Sequence, residues 1–138
     1  MTCVFRNAVP EDFPILIQDS TENGKIDQRA IDESCEIRVM ECDGVPVMAI
    51  GYVRYDSDDY IDYMGVWGIF SKKIKTHVRE AVQFCKDLIF SRAGMKLVVL
   101  IDERNPTFKR FVEFFGFERT KVVEEWHGIV YHIYVKEN

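Results

Sequence analysis

In the stretch "SKKIKTHVREAVQFCKDLIFSRAG", Lys72, Lys73, Lys75 and Arg79 crowd the first turns of what reads as one long helix. The N-terminal end of a helix carries the positive end of its dipole and disfavours cations. The chain as a whole has a net charge of −5, so a general basic bias does not explain them. A local conflict of this kind often marks function. The alternative is a solvated helix end whose long side chains point away. Cysteine and histidine offer less. Cys3, Cys35, Cys42 and Cys85 have no zinc-like spacing and sit in apolar or mixed segments, as free buried thiols do. His77, His127 and His132 do not cluster, and the last two, five apart in a strand-like stretch, fall on opposite faces. No metal site is expected.

The elements that must position these groups follow from the rest of the chain. At 138 residues, 47% hydrophobic and 30% charged, it is expected to be one globular domain spanning residues 1–138. No apolar run approaches the roughly 18 residues of a membrane span, and "MTCVFRNAVPEDF" lacks the apolar core of a signal peptide, so a cytoplasmic protein is expected. The negative balance argues against a dedicated nucleic-acid binder.

"TCVFRNA" reads as a strand and "PEDFPILIQDS" as a short helix with acids in its first turn. "EIRVMECDGVPVMAIGYVRYD" is a hairpin in which alternating runs flank Asp43-Gly44. "YIDYMGVWGIF" is a strand whose Gly65 and Gly68 point to a bulge or a close backbone approach. In the long helix, Ile74, Val78, Ala81, Val82, Cys85, Leu88 and Ile89 form one apolar stripe, and Gly94 ends it. "MKLVVLID" is a continuous apolar run, as expected of a central strand covered on both faces and reached by a parallel crossover. Asn105 caps a further helix with Pro106 at its first position, running to about Phe115 and ending in Gly116. "FERTKVVEEWHG" and "IVYHIYVKEN" are a final antiparallel pair.

This order resembles the GCN5-related N-acetyltransferase (GNAT) family over nearly the whole chain. Its most specific part is Asn105, a short helix, then Gly116-Phe117. A generic βαβ domain can produce the same local pattern. The resemblance implies an α/β acyl-CoA N-acyltransferase fold. Its sheet is mixed and mostly antiparallel, with a central parallel pair formed by the fourth and fifth strands and helices on both faces. It also implies acetyl-CoA as co-substrate, its pantetheine arm entering where those two strands splay apart, with the Asn105 helix as one wall. The function implied is transfer of an acetyl group to a primary amine of a small molecule or protein.

The sequence departs from the family at two places. The loop Q/R-x-x-G-x-G/A, whose glycines admit a pyrophosphate to a helix N-terminus, is missing, and Lys73 and Lys75 stand where its glycines belong. Ser71, Lys72, Lys73, Ile74, Lys75 and Thr76 then become the cofactor's phosphate site by ion pairing, or an obstruction that closes it. The tyrosine that many members place four residues before the helix-ending glycine is Val112 here. On the fourth strand the resemblance leaves Asp62 as candidate base and Tyr63 as candidate acid, with the backbone of Val66 and Trp67 to meet the thioester. Asp62 as a solvated strand residue and Tyr63 as a core aromatic are the plainer readings. The same departures are similar to short GNAT-like proteins of some tailed phages. That supports a second class of function: an inactive module, such as a phage accessory or virion protein, acting through a protein partner or a homodimer. Trp67, Trp126 and Arg79 are its candidate contact residues. The acids Asp56, Asp58, Asp59 and Asp62 suit a cationic acceptor, and an exposed loop accounts for them equally.

Overall fold

The computed structural model describes residues 2–20, 28–55, 63–91, 94–104, 106–126 and 128–137. Among these, β1 (Cys3–Asn7), β2 (Glu36–Cys42), β3 (Val45–Tyr55), β4 (Tyr63–Phe70), β5 (Lys96–Ile101), β6 (Glu118–Trp126) and β7 (Ile129–Glu137) form one sheet. The strand order is β1-β2-β3-β4-β5-β7-β6. Among the described strands only β4 and β5 pair in parallel. The helices are α1 (Asp12–Gln18), α2 (Gln28–Glu33), α3 (Val78–Phe90) and α4 (Pro106–Phe114), and a 3-10 segment, Lys72–Thr76, precedes α3. No helix among the described residues is long and apolar enough to cross a membrane.

Each face of the sheet has its own apolar cluster because strand side chains alternate. On one face Leu16 of α1 packs with Val39, Ala49 and Ile69. On the other, Phe84 and Leu88 of α3 and Phe108 and Val112 of α4 join Met48, Ile50, Leu97 and Val99. The strand buried on both sides is β3, where every residue from Val47 to Val53 is buried. That environment was expected for "MKLVVLID". In β5 only Leu97, Val99 and Ile101 are fully buried, and Leu100 is 41% exposed, because α1 packs over β3 and β4 and does not reach this far.

Local signals in the sequence resolve as follows. Asp43 and Gly44 both take positive φ, 51° and 81°, as a two-residue hairpin turn of the primed type requires. At the end of α4, Gly116 has φ +89°, its N–H donates to the Glu113 carbonyl, and the Phe117 N–H donates to the Val112 carbonyl. This is the paired hydrogen bonding of a Schellman motif. The long helix is instead two pieces. His77, at φ −131° and ψ 33°, separates the 3-10 segment from α3, and Val78, expected in the buried stripe, is 51% exposed. Ile74 stays buried below the break, and Phe84 takes a core position.

The cysteines depart from the expectation of four free buried thiols. Cys3 and Cys42 face each other across the β1–β2 ladder and form a disulfide, Cys35 is free but exposed, and Cys85 is free and buried. The hydrogen-bonded neighbours Thr2 and Asp43 make Cys3 and Cys42 a non-hydrogen-bonded pair, the arrangement that brings cross-strand side chains closest.

The outermost strand β6 is irregular. Its pairing with β7 shifts register between Arg119 and Val123, and Val122 and Val123 are exposed. Within the sheet, β4 pairs with β3 without interruption from Tyr63 to Phe70, so its glycines make no bulge. Close approach explains Gly68, where an added Cβ would lie 3.0 Å from Ile50 and 3.3 Å from Phe108. A tighter case is Gly51, opposite Trp67 in the β3–β4 ladder: an added Cβ would sit 2.1 Å from the indole. Gly51→Ala is therefore predicted to destabilise the fold by about 1–3 kcal/mol, the usual cost of overpacking. Chemical denaturation of Gly51→Ala, Trp67→Ala and the double variant checks this, because the cost of Gly51→Ala must shrink when the indole is gone.

Candidate functional site

The parallel ladder between β4 and β5 is short. It runs from Tyr63 opposite Lys96 to Val66 opposite Val99 and stops, although β4 continues to Phe70 and β5 to Ile101. Beyond Val66 the two strands diverge, and the β4 edge from Trp67 to Phe70 has no strand partner on that side among the described residues.

Beneath the divergence lies a small cleft of about 50 Å³, partly open to solvent. Val66 and Phe70 of β4, Val99 of β5, Leu88 of α3, and Phe108 and Phe111 of α4 are among its walls, and among the described residues no charged side chain lines it. The aromatic wall is continuous: the Phe70 ring lies 4.7 Å from that of Phe108 and 5.2 Å from that of Phe111.

No family model matches the chain, and no curated protein matches it by sequence. Solved structures do match it over nearly its full length. A GNAT-family acetyltransferase from Streptococcus agalactiae superposes with a TM-score of 0.73 at 16% identity, covering 99% of this chain and 95% of its own. YncA of Salmonella typhimurium, assigned as an acetyltransferase and solved with its cofactor acetyl-CoA, gives 0.69 at 13% identity, covering 99% and 94%. Arabidopsis thaliana Naa50, solved with the bisubstrate analogue CoA-Ac-MVNAL, gives 0.69 at 8% identity, covering 99% of both chains. The fold is that of the GNAT acetyltransferases.

Within the GNAT fold the residues singled out from sequence fall into distinct places. Val66 lines the cleft. Trp67, next along the strand, points to the opposite face, where its Nε1 donates to Ser34 Oγ at 2.7 Å and its ring covers Gly51. That packing half-buries the indole. Ser71 is buried, and its hydroxyl accepts from the Lys73 N–H at 3.1 Å, capping the 3-10 segment. Ile74 is buried as the anchor of that segment. Lys72, Lys73, Lys75 and Thr76 are exposed. Lys73 Nζ lies 3.9 Å from Asp19, and the Thr76 hydroxyl donates to the Lys73 carbonyl at 2.9 Å. Tyr63 opens β4. Asp56, Asp58, Asp59, Asp62, Asn105 and His127 lie outside the described residues.

The backbone around the lysines is already engaged. The Lys72 N–H donates to the Asp19 carbonyl, the Lys73 N–H to Ser71 Oγ, and the Ile74 N–H to the Ser71 carbonyl. α3 differs, because no side chain caps its first turn and Arg79 is exposed there. An anion at the start of α3 would therefore meet lysine side chains and the first-turn amides of α3, in place of glycine-loop amides.

Sequence reading missed a polar cluster where β5 ends. Glu103 accepts from the Tyr134 hydroxyl and from Arg119 Nε at 2.9 Å, and His132 Nδ1 lies 3.4 Å away at ion-pair range. The signal was available: His132 and Tyr134 are two apart on β7, and Glu103 continues the alternation of Val99 and Ile101 that they oppose. The Tyr134 hydrogen bond, then Arg119, holds the Glu103 carboxyl below the ordinary glutamate range, while burial, then Glu103, pushes the Tyr134 phenol up to about 12. At neutral pH the pair is locked as carboxylate and neutral phenol, so it ties β5 to β6 and β7 and is a poor proton donor.

The cysteine and histidine reading also changes here, since Cys3, Cys42 and His77 bring their ligand atoms within 4.8 Å of one another. For Glu103, a depressed carboxyl contributes stability above its unfolded value and loses it as pH falls. Glu103→Gln is predicted to melt several degrees below wild type at pH 7, with the gap closing below about pH 4.3, the ordinary glutamate value. Thermal melts from pH 3 to 7 read this, and a gap independent of pH would show that the carboxylate charge contributes nothing.

Proposed function

We propose that the chain transfers an acetyl group from acetyl-CoA to a primary amine. The observation that carries this reading is the divergence of β4 and β5 after Val66 and Val99 over an apolar cleft, in a fold whose solved examples include complexes with acetyl-CoA and with a CoA bisubstrate analogue. In this reading the pantetheine arm enters between the strands, and backbone groups of Val66 and Trp67 meet the thioester. Asn105, which precedes Pro106 in the sequence, is assigned to cofactor binding. Lys72, Lys73 and Lys75, with Arg79, pair with the phosphates, while Ser71, Ile74 and Thr76 shape the segment that presents them. Asp62 takes the proton from the amine and Tyr63 protonates the departing thiolate. The acids Asp56, Asp58, Asp59 and Asp62 favour a cationic acceptor.

Two observations favour a second reading, a GNAT-shaped module that acts through a protein partner. The amides of Lys72 to Ile74 are satisfied within the chain, and the position of the usual helix tyrosine is the buried Val112.

Calorimetric titration with acetyl-CoA decides first between a working cleft and a closed one. Acetyl-CoA is expected to bind with affinity that falls steeply with salt, and Lys73→Ala with Lys75→Ala should weaken it. Unchanged or tighter binding would make the lysines obstructing bystanders. Turnover is read as CoA release with an amine panel, and Asp62→Asn should slow it about 100-fold or more, the scale of general acid–base catalysis. Release that never exceeds the acceptor-free background would favour the module.

A further inference from the structure

The cluster at the start of α3 belongs to no part of the cleft chemistry. Cys3 and Cys42 are opposite residues of the β1–β2 ladder with Cα atoms 4.1 Å apart, so the backbone aims both sulfurs to one place whatever their oxidation state. Cys42 and His77 are buried and Cys3 is partly open. His77 Nδ1 contacts Cys3 Sγ at 3.8 Å. Disulfide sulfur is a weak acceptor, so this buried imidazole nitrogen gains little from that contact. The His77 backbone is fixed from both sides: its N–H donates to the Ile74 carbonyl, and its carbonyl accepts from Ala81 at 2.9 Å. The ring is therefore held at the junction of the 3-10 segment and α3.

We infer that Cys3, Cys42 and His77 form a zinc site when the two sulfurs are reduced. Two thiolates and an imidazole suit zinc, and no carboxylate belongs to the set, so magnesium and calcium are poor fits. Tetrahedral zinc with bonds of about 2.3 Å to sulfur and 2.0–2.1 Å to nitrogen puts S and N about 3.6 Å apart, close to the Cys3–His77 separation. The two sulfurs must part to about 3.8 Å, which side-chain rotation supplies once their bond is broken. Three protein ligands leave a fourth position for water on the open Cys3 side.

The chemistry balances. A dithiol gives two electrons and two protons to the Cys3–Cys42 bond, leaving two thiols and its own disulfide. Zn²⁺ then forms two Zn–S bonds and one bond to Nδ1, and both thiol protons leave to solvent. Nδ1 binds through its lone pair, so the ring proton resides on Nε2. The metal would join the β1–β2 edge to the start of α3, independently of whether the cleft binds acetyl-CoA.

The test uses the full chain carrying Cys35→Ser, which removes the exposed thiol. One portion is oxidised; the other is reduced with a dithiol and freed of it by gel filtration without oxygen. Each is titrated with Co²⁺ and then Zn²⁺. The reduced chain is expected to take up one Co²⁺, with thiolate-to-metal charge-transfer and tetrahedral d–d absorption that Zn²⁺ abolishes. The oxidised chain, with the same sequence and fold, should give neither signal. His77→Ala should weaken uptake at least as much as loss of an outer-shell partner does, about 10- to 100-fold. Absence of these bands from the reduced chain, or equal bands in the oxidised chain, overturns the site. So does Co²⁺ affinity unaltered in His77→Ala.

Discussion

Parallel pairing between β4 and β5 is the joint between the two halves of the sheet, and it is only four residue pairs long. Parallel strands need a crossover, which α3 supplies, and the crossover fixes the face on which the cleft forms. Once the ladder stops at Val66 and Val99, the β4 edge must find other company, and α4 provides it. Phe108 and Phe111 lie against Phe70, so the helix that leaves β5 becomes a wall of the opening. That wall ends abruptly: Gly116 turns the chain back and Phe117 enters the core as β6 begins. The feature that joins the sheet and the one that opens it are thus two ends of the same pair of strands.

Charge is distributed so that the cleft itself stays apolar. Cations collect on the exposed face of the 3-10 segment, while the strongest carboxylate contacts are placed elsewhere. Arg6 grips Asp12 through two hydrogen bonds of 2.7 and 2.8 Å and reaches Glu41, pinning α1 to the β1–β2 edge. The Asp12 carboxyl is held below its ordinary range chiefly by that Arg6 contact. Glu103 does the corresponding work at the other end of the sheet. A planar fork can hold a carboxylate through two parallel hydrogen bonds, and both clusters use arginine in this way.

Much of this was legible. Asp43-Gly44, the stripe Phe108, Phe111, Val112 and Phe115, and the run from Pro106 to Gly116 each carry a local rule, so the hairpin and α4 follow from neighbouring residues alone. What failed was non-local. The apolar run at Leu97 to Ile101 says that something covers a strand and cannot say how far α1 extends, so the two-sided environment was assigned to β5 when it belongs to β3. The break at His77 was hidden because Ile74 and Val78 keep helical spacing while the backbone between them does not. Cys3 and Cys42 are 39 residues apart, and only the register of β1 on β2 makes them neighbours. The Glu103 cluster likewise joins β5, β6 and β7, and no short window of sequence contains it.

The irregular outer strand has a consequence for the chain in company. A straight, evenly spaced edge invites another polypeptide to add itself, and proteins blunt such edges with charge and bulges. β6 carries Glu118, Arg119, Lys121, Glu124 and Glu125 around its exposed valines, and its register slips between Arg119 and Val123. An incoming strand would meet a broken comb of donors and acceptors and a row of charges to desolvate. Polymerisation through that border is disfavoured, which helps a chain with 47% hydrophobic residues stay dispersed when crowded among copies of itself.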